Sequence, residues 1–190
     1  GHNAMLLNSA SNNSAFGSGS LDANTTGSGN CAFGFAALGS NTTAGQNTAF
    51  GNQAAFSVTT AINVAAFGHV ALNLNTAAQS SAFGSLALTS NSSGTGNSAF
   101  GFNSLGANTT QTNNSAFGNQ ALATNNAGND NSGFGFSALL LNTSGISNSA
   151  FGSSAMDANT TGGSNSAFGF NALSSNSTAS RNNGFGNATL

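Results

Sequence analysis

The side chains of this sequence that could take part in chemistry are few: three Asp, two His, one Cys and one basic residue. Asp22 and Asp157 occupy the same position of the repeat described below but lie eight repeats apart, too far to act as paired catalytic carboxylates. Asp130 alone offers too few carboxylates for a Ca²⁺ site. Cys31 and His69 have no companions at ligand spacing, so neither a metal-ligand set nor a nucleophilic triad is predicted. We therefore expect no enzyme activity and no cofactor.

The charge content of the chain excludes further classes of function. Only 2% of the 190 residues are charged and the formal net charge is −2, whereas about a quarter of a typical soluble domain is charged. Arg181, the single basic residue, cannot form a phosphate-binding surface for nucleic acid or a polybasic membrane patch. The longest apolar run, at residues 137–141, is far shorter than the roughly 20 residues that cross a bilayer. No nucleic acid partner and no membrane insertion are expected.

A phenylalanine followed by glycine recurs along the whole chain in steps of 17 residues, with one step of 16. Positions of the repeat are numbered from this Phe as position 0, so that the Gly is at +1. A disordered low-complexity tract does not keep such a phase, and residues 1–190 are predicted to form a single repeat domain. The phenylalanines at position 0 are Phe16, Phe33, Phe50, Phe67, Phe83, Phe100, Phe117, Phe134, Phe151, Phe168 and Phe185.

The length and composition of the unit indicate its architecture. A unit of 17 residues is too short for the two helices of common helical solenoids, and the Gly, Asn, Ser and Thr that fill it are poor helix formers. Two short segments, Ala-Phe-Gly and Ala-Leu, alternate with turn residues. This favours an all-β fold, a parallel β-solenoid of about eleven 17-residue coils. The Phe at position 0 and the Leu at +5 are expected to stack inside as the core, contributing roughly 3–6 kcal/mol per coil before entropy is subtracted.

Asparagine recurs at +8 and at three residues before Phe, position −3. Stacked amides can donate to one coil and accept from the next, which predicts two Asn ladders at the corners. Glycosylation is the alternative, because Asn24, Asn41, Asn91, Asn108, Asn142, Asn159 and Asn176 each lie in an Asn-x-Ser/Thr sequon. The +8 ladder comprises Asn24, Asn41, Asn75, Asn91, Asn108, Asn125, Asn142, Asn159 and Asn176. The −3 ladder comprises Asn13, Asn30, Asn47, Asn97, Asn114, Asn131, Asn148, Asn165 and Asn182.

Two groups of apolar residues occupy positions that are otherwise polar. The first group either fills the core where the coil is wide or forms an outward stripe that packs against another rod. The second group predicts a local apolar patch, which is either a dimer contact or a site covered by a partner. The first group lies at +2 and comprises Phe35, Phe102, Phe136 and Phe170. The second lies in the irregular repeat of residues 50–66 and comprises Phe56, Val58, Ile62 and Val64.

Threonine pairs at +9 and +10 suggest an alternative function. They occur at residues 25–26, 42–43, 59–60, 109–110 and 160–161. A regular Thr row on a flat solenoid face resembles the water-ordering faces of ice-binding β-solenoids. Ser, Ala or Asn interrupts the row, and neighbouring residues of a strand face opposite ways. Ice binding is therefore kept as the alternative to a structural role.

The Asn-Ser-Ala-Phe-Gly core, at residues 13–17, 97–101, 114–118, 148–152 and 165–169, resembles the Asn-Ser-x-Ala-Ile-Gly repeat of trimeric autotransporter adhesin heads. The unit is more similar still to the Asn-Thr-Ala-Ile-Gly arrays of bacterial and phage tail-fibre-like surface proteins. The resemblance covers nearly the whole chain. It implies a left-handed parallel β-roll, often trimeric, in extracellular stalks and adhesive fibres. This sequence departs from the adhesin repeat by having Phe for the aliphatic residue and a longer unit.

The sequence as a whole predicts an extracellular structural protein, a β-solenoid subunit or segment of a filament, stalk or adhesive surface fibre. It is expected to be secreted, on a cell surface or in a virion fibre. The expected partners are further copies of the chain, in a head-to-tail filament or a trimer, and cell-surface or glycan ligands. Head-to-tail stacking is expected because residues 1–5 match the Gly-x-x-Ala-Leu half of the unit, so that the first coil is partial and the last is open. Cys31 is expected to be an idle thiol or at most an intermolecular link.

Overall fold

The strands of the protein are short and form one sheet. The computed structural model describes residues 2–189, which contain eleven parallel strands of three residues, paired in chain order and in register. The parallel β-solenoid predicted from the sequence is confirmed. The coil that carries strand βn is called rung n below. The strands are β1 (Ser14–Phe16), β2 (Cys31–Phe33), β3 (Thr48–Phe50), β4 (Ala65–Phe67), β5 (Ser81–Phe83), β6 (Ser98–Phe100), β7 (Ser115–Phe117), β8 (Ser132–Phe134), β9 (Ser149–Phe151), β10 (Ser166–Phe168) and β11 (Asn183–Phe185).

The middle residue of each strand, and not the phenylalanine, points into the coil. Ala116 is fully buried, whereas Phe50 and Phe151 are each 36% exposed. Successive residues of a strand face opposite sides, so Ala and the Phe that follows it cannot both point inward. The prediction that the eleven phenylalanines form the core was therefore wrong. A Cβ placed on Gly133 would lie 3.2 Å from the carbonyl oxygen of Ala138 and 3.4 Å from the side chain of Leu122, so a methyl group fits tightly in the interior here and a phenyl ring does not fit.

Leucine and alanine fill the interior. Among the described residues, the leucines at +5 and Met156 at +5 of rung 9 are buried, and each contributes about 2 kcal/mol of hydrophobic stabilisation. In rung 3, Ala55 takes the leucine position, and the buried Val58 and Val64 join the same hydrophobic cluster. The largest buried apolar side chains are Leu21, Leu38, Leu72, Leu88, Leu105, Leu122, Leu139, Met156, Val58 and Val64.

The turns of each coil hold ordinary residues in the left-handed backbone region. In rung 7, Gln120 has φ 59°, Leu122 has φ 53° and Asp130 has φ 58°. Each such residue costs roughly 1–2 kcal/mol relative to a right-handed conformation. Hydrogen bonds between rungs hold this backbone in place: the amide of Leu122, for example, donates to the carbonyl of Ala138 at 3.0 Å. The strained turn is stable only when a neighbouring rung supplies its bonding partners.

The glycine at +1 is required by the close approach of consecutive rungs. Gly118 has φ 147°, and a Cβ added to it would overlap the carbonyl oxygen of Gly135 on the next rung. The same overlap recurs at each +1 glycine from Gly17 to Gly169. This explains why each phenylalanine at position 0 from Phe16 to Phe168 is followed by glycine.

Replacing Gly118 by Ala should lower the free energy of unfolding by about 3 kcal/mol or more, because the new methyl group meets backbone that cannot move aside. Gly186→Ala is the matched control: φ is again positive, at 116°, but the nearest atom to its Cβ is a threonine methyl at 3.6 Å. That variant should lose only about 1–2 kcal/mol. Chemical denaturation measures both, and equal losses would contradict the overlap.

Candidate functional surface

The eleven phenylalanines at position 0 form a continuous stack on the outer surface, called the Phe column. From Phe33 to Phe185, centroids of consecutive rings lie 4.5–5.2 Å apart and the ring planes are within 8° of parallel. The rings cover one another, so the central ones are half-buried, whereas Phe16 and Phe185 are 69% and 66% exposed. Stacked aromatic pairs contribute about 0.5–1.5 kcal/mol beyond their burial. The column thus stabilises the rod and leaves an apolar stripe facing solvent.

A second aromatic column runs beside the first, at +2, and is called the knob column. Phe35, Phe102, Phe136 and Phe170 are 46–56% exposed, so these residues do not fill the core. Two peptide units separate +2 from position 0, so the backbones of the two columns are at most about 7.6 Å apart. The sequence left two interpretations of these phenylalanines open, core filling or an outward stripe, and the structure shows the outward placement. The two columns form neighbouring apolar features on one surface.

The knob column has an alternation that the sequence interpretation missed. Even-numbered rungs carry an aromatic ring at +2, and odd-numbered rungs carry Ser or Asn. The aromatic residues are Phe35, His69, Phe102, Phe136 and Phe170. The small polar residues are Ser18, Asn52, Ser85, Asn119, Ser153 and Asn187. Comparing pairs of repeats, rather than single repeats, would have revealed it.

The irregular repeat does not form the expected apolar surface patch. Val58 and Val64 are buried, so the prediction that they belong to a lateral interface was wrong. Phe56 is half-buried against Gly39 of the preceding rung, where an added Cβ would lie 2.9 Å from the ring. Ile62 alone of this group is exposed. Most of the apolar character of the irregular repeat therefore serves the core.

The asparagines at +8 form a ladder of side-chain amides inside the coil. Nδ2 of Asn142 donates to Oδ1 of Asn125 at 3.0 Å and to the carbonyl of Gly145 within its own rung, also at 3.0 Å. Asn159 continues the ladder by donating to Oδ1 of Asn142 at 2.8 Å. Each amide therefore closes the turn of its own rung and bonds the rung before it, so the buried polar groups are satisfied and the register is fixed.

The asparagines at −3 connect rungs through the backbone. Oδ1 of Asn114 accepts from the amide nitrogen of Asn131 at 3.0 Å, and its Nδ2 donates to the carbonyl of Gly128 at 3.0 Å. Nδ2 of Asn114 also lies 3.3 Å from Oδ1 of Asn108 in the +8 ladder. The two ladders thus share one internal network of hydrogen bonds.

The burial of these amides contradicts the glycosylation alternative. Asn24, Asn41, Asn91, Asn108, Asn142 and Asn159 are completely buried, and a glycan on any of them would have to replace the interior of the rod. Asn176 is half-buried, and its Nδ2 donates both to Asn159 and to the carbonyl of Ala179. The sequons arise because Ser or Thr lies at +10, two residues after each of these asparagines of the +8 ladder.

The threonines at +9 and +10 play different roles. Those at +9 hold rungs together: Oγ1 of Thr143 donates to the carbonyl of Thr160 at 3.1 Å, and Thr160 donates to Ser177 at 2.9 Å. Those at +10, such as Thr161, are exposed. Ala77 and Ala127 interrupt the exposed row. The two rows together therefore do not present a regular array of free hydroxyl groups.

The titratable residues are scattered over the rod. Within residues 2–189, no three of the His, Cys, Asp and Glu side chains come together as a possible metal-binding group. Cys31 is a half-buried free thiol on β2. No helix of the described part of the chain is long and apolar enough to span a membrane. The regular chemical features of the surface are the two aromatic columns.

Comparisons with known proteins give this chain no family. No family model, no curated protein and no solved structure matches the sequence or the fold. Its function must be inferred from the surface and interior of the rod.

The break in the +8 ladder at Val58 predicts a stabilising substitution. Oδ1 of Asn41 is buried and has no hydrogen-bond partner among the described residues, because Val58 stands where the next amide would donate. Val58→Asn should restore that bond and raise the free energy of unfolding by about 1–2 kcal/mol. Val58→Ala, which removes volume without adding an amide, should instead lower it by about 1–3 kcal/mol. Urea denaturation compares the two, and loss of stability in Val58→Asn would show that the apolar contacts of Val58 outweigh the amide bond.

Proposed function

We propose that this chain is a structural protein, a rod-shaped subunit or segment of an extracellular filament, stalk or surface fibre. The observation that carries the proposal is the unbroken sheet of eleven rungs with a regular aromatic column along its outside. Eleven rungs at the spacing of parallel strands give a length of about 50 Å. A rod with one repeated surface suits assembly with copies of itself better than recognition of a small molecule.

The interior of the rod supports a structural role. Each rung is bonded to the next by strand pairs and by turn amides, and along most of the rod by the Asn ladders. Val58 interrupts the +8 ladder, and Val64 and Ser80 stand at position −3 of the next two rungs, so the ladders are interrupted at rungs 3 to 5. Solenoids gain stability from the contacts between neighbouring repeats, and these contacts are present along the whole length of the rod.

The surface composition supports a location outside the cell. With 2% charged residues, the rod depends little on ion pairs that salt would screen. Arg181 is the single site for a trypsin-like protease. The resemblance of the Asn-Ser-Ala-Phe-Gly core to adhesin-head and tail-fibre repeats supports the same assignment, including adhesion to cell-surface or glycan ligands. Ice binding has less support, because the +9 hydroxyls are engaged with the next rung.

Antibody labelling tests the proposed function directly. An antibody raised against this chain should decorate filaments or surface fibres in electron micrographs of the cells or particles that produce it. Labelling confined to the cell interior would contradict the proposal. Thermal hysteresis of a solution of the chain, absent when Thr110 and Thr161 are replaced by Lys, would favour ice binding instead.

The scarcity of charge predicts that rod stability is insensitive to salt. Between low salt and physiological or higher NaCl, the midpoint of thermal unfolding should move by no more than about 4 °C. Circular dichroism melting curves measure this. A larger shift would show that one of the few charged residues contributes substantially to folding through an ion pair.

A further inference from the structure

The aromatic rings of the knob column are spaced so that the ring of another column fits between each pair of neighbours. Its aromatic rings occur on every second rung, so neighbouring rings are about 9.5 Å apart, twice the strand spacing. Between them, the odd-numbered rungs carry Ser or Asn, of which Asn52 and Asn119 are exposed. A ring inserted halfway would lie about 4.8 Å from the ring on either side. That is the centroid distance within the chain's own Phe column, 4.5–5.2 Å.

We propose that the knob column binds the knob column of a second copy of this chain, with the aromatic rings of each inserted between those of the other. The proposal rests on the structural role proposed above and adds to it the partner and the contact surface. The occupant is a copy of this chain because it must present aromatic rings at the same two-rung interval. Other partners would match only one or two of the gaps.

The symmetry of the contact follows from the alternation. An antiparallel pair, related by a twofold axis that crosses the rods between two neighbouring rungs, sets every even rung opposite an odd rung. With the axis between rungs 6 and 7, Phe102 faces Asn119, Phe136 faces Ser85 and Phe170 faces Asn52. Both copies then use the same surface, so the contact closes as a dimer. A parallel pair at equal height would instead place ring against ring.

The regular spacing of the Phe column allows the match to continue along the rod. Centroids of consecutive rings from Phe33 to Phe185 lie 4.5–5.2 Å apart, so two copies of the chain keep the same period over a few rungs. With about 200 Å² for a whole phenylalanine side chain, the exposed parts of the four knob phenylalanines sum to roughly 400 Å², and those of the two columns together to roughly 1,000 Å². A stable interface of standard size buries about 800 Å² on each partner, so the contact reaches this size when the partner also covers the neighbouring Phe column.

The charge distribution does not oppose the contact. Asp22 and Asp157 lie at +6, and Asp130 and Arg181 at +13, so all four charged side chains lie outside the two aromatic columns. His69 is the single titratable residue of the knob column. Two copies can therefore approach without like charges meeting.

Filling a gap tests interlocking against simple apolar adhesion. Asn119→Phe adds an apolar ring to the surface but occupies the space that the partner's ring would enter. Interlocking predicts that it weakens dimer formation by about tenfold or more, as does removal of a knob in Phe102→Ser. Thr110→Phe is the matched control, because it adds the same ring to the exposed +10 row and should leave dimer formation unchanged.

Sedimentation equilibrium over a dilution series measures the dimer, and circular dichroism melting shows that each variant is folded. Ser153→Phe fills a different gap and gives an independent result if Asn119→Phe does not fold. Equal or tighter association of a folded gap-filled variant, or a wild-type chain that stays monomeric, would overturn the interlocking contact. Such a result leaves the antibody labelling of fibres unaffected, so failure of the contact and failure of the structural role are distinguishable.

Discussion

Hydrogen bonding of each coil to the next, residue for residue, is the interaction on which the rest of this protein depends. It brings consecutive rungs so close that a side chain at Gly118 would overlap the carbonyl of Gly135. It also holds residues such as Leu122 in a left-handed conformation that is unfavourable for an isolated coil. A single rung would gain too little to keep this backbone. The structure is therefore cooperative along its length, and identical residues stack because identical positions are superposed.

Stacking of equivalent positions from rung to rung has different consequences for polar and for apolar side chains. Stacked asparagines satisfy one another inside the coil, as Asn142 does with Asn125, so their hydrogen bonds offset the cost of removing a polar side chain from water. Stacked phenylalanines cover one another's faces outside the coil and remain partly exposed to water. The usual division between an apolar inside and a polar outside is thus reversed at the asparagine and phenylalanine positions of the repeat. Neighbouring rungs, rather than the distance from the surface, determine which side chains are satisfied.

The same regularity leaves a surface with little electrostatic character and a strong geometric period. Few charges are available to steer or repel a partner, so in the proposed assembly recognition would depend on shape. The alternation of Phe102, Asn119 and Phe136 at +2 supplies a shape with a longer period than the rung itself. A surface that was identical at every rung would allow neighbouring rods to slide past one another by one rung at a time, whereas this alternation would oppose such a shift.

The sequence alone determined the solenoid, because the 17-residue recurrence of Phe-Gly requires one coil per repeat and the Gly-, Asn- and Ser-rich unit is unsuited to helices. It also determined the columns of asparagine, whose regular spacing is visible without coordinates. Only the tertiary structure decided which side of the strand faces inward. The sequence pattern Ala-Phe permits either, and hydrophobicity favours burying Phe117; the narrow interior, already filled by leucines such as Leu122, accepts Ala116 instead. For the same reason the sequons did not reveal that their asparagines, such as Asn108, are buried at the corners of the coil. The direction of a side chain depends on packing between rungs, and the sequence of a single repeat does not contain that information.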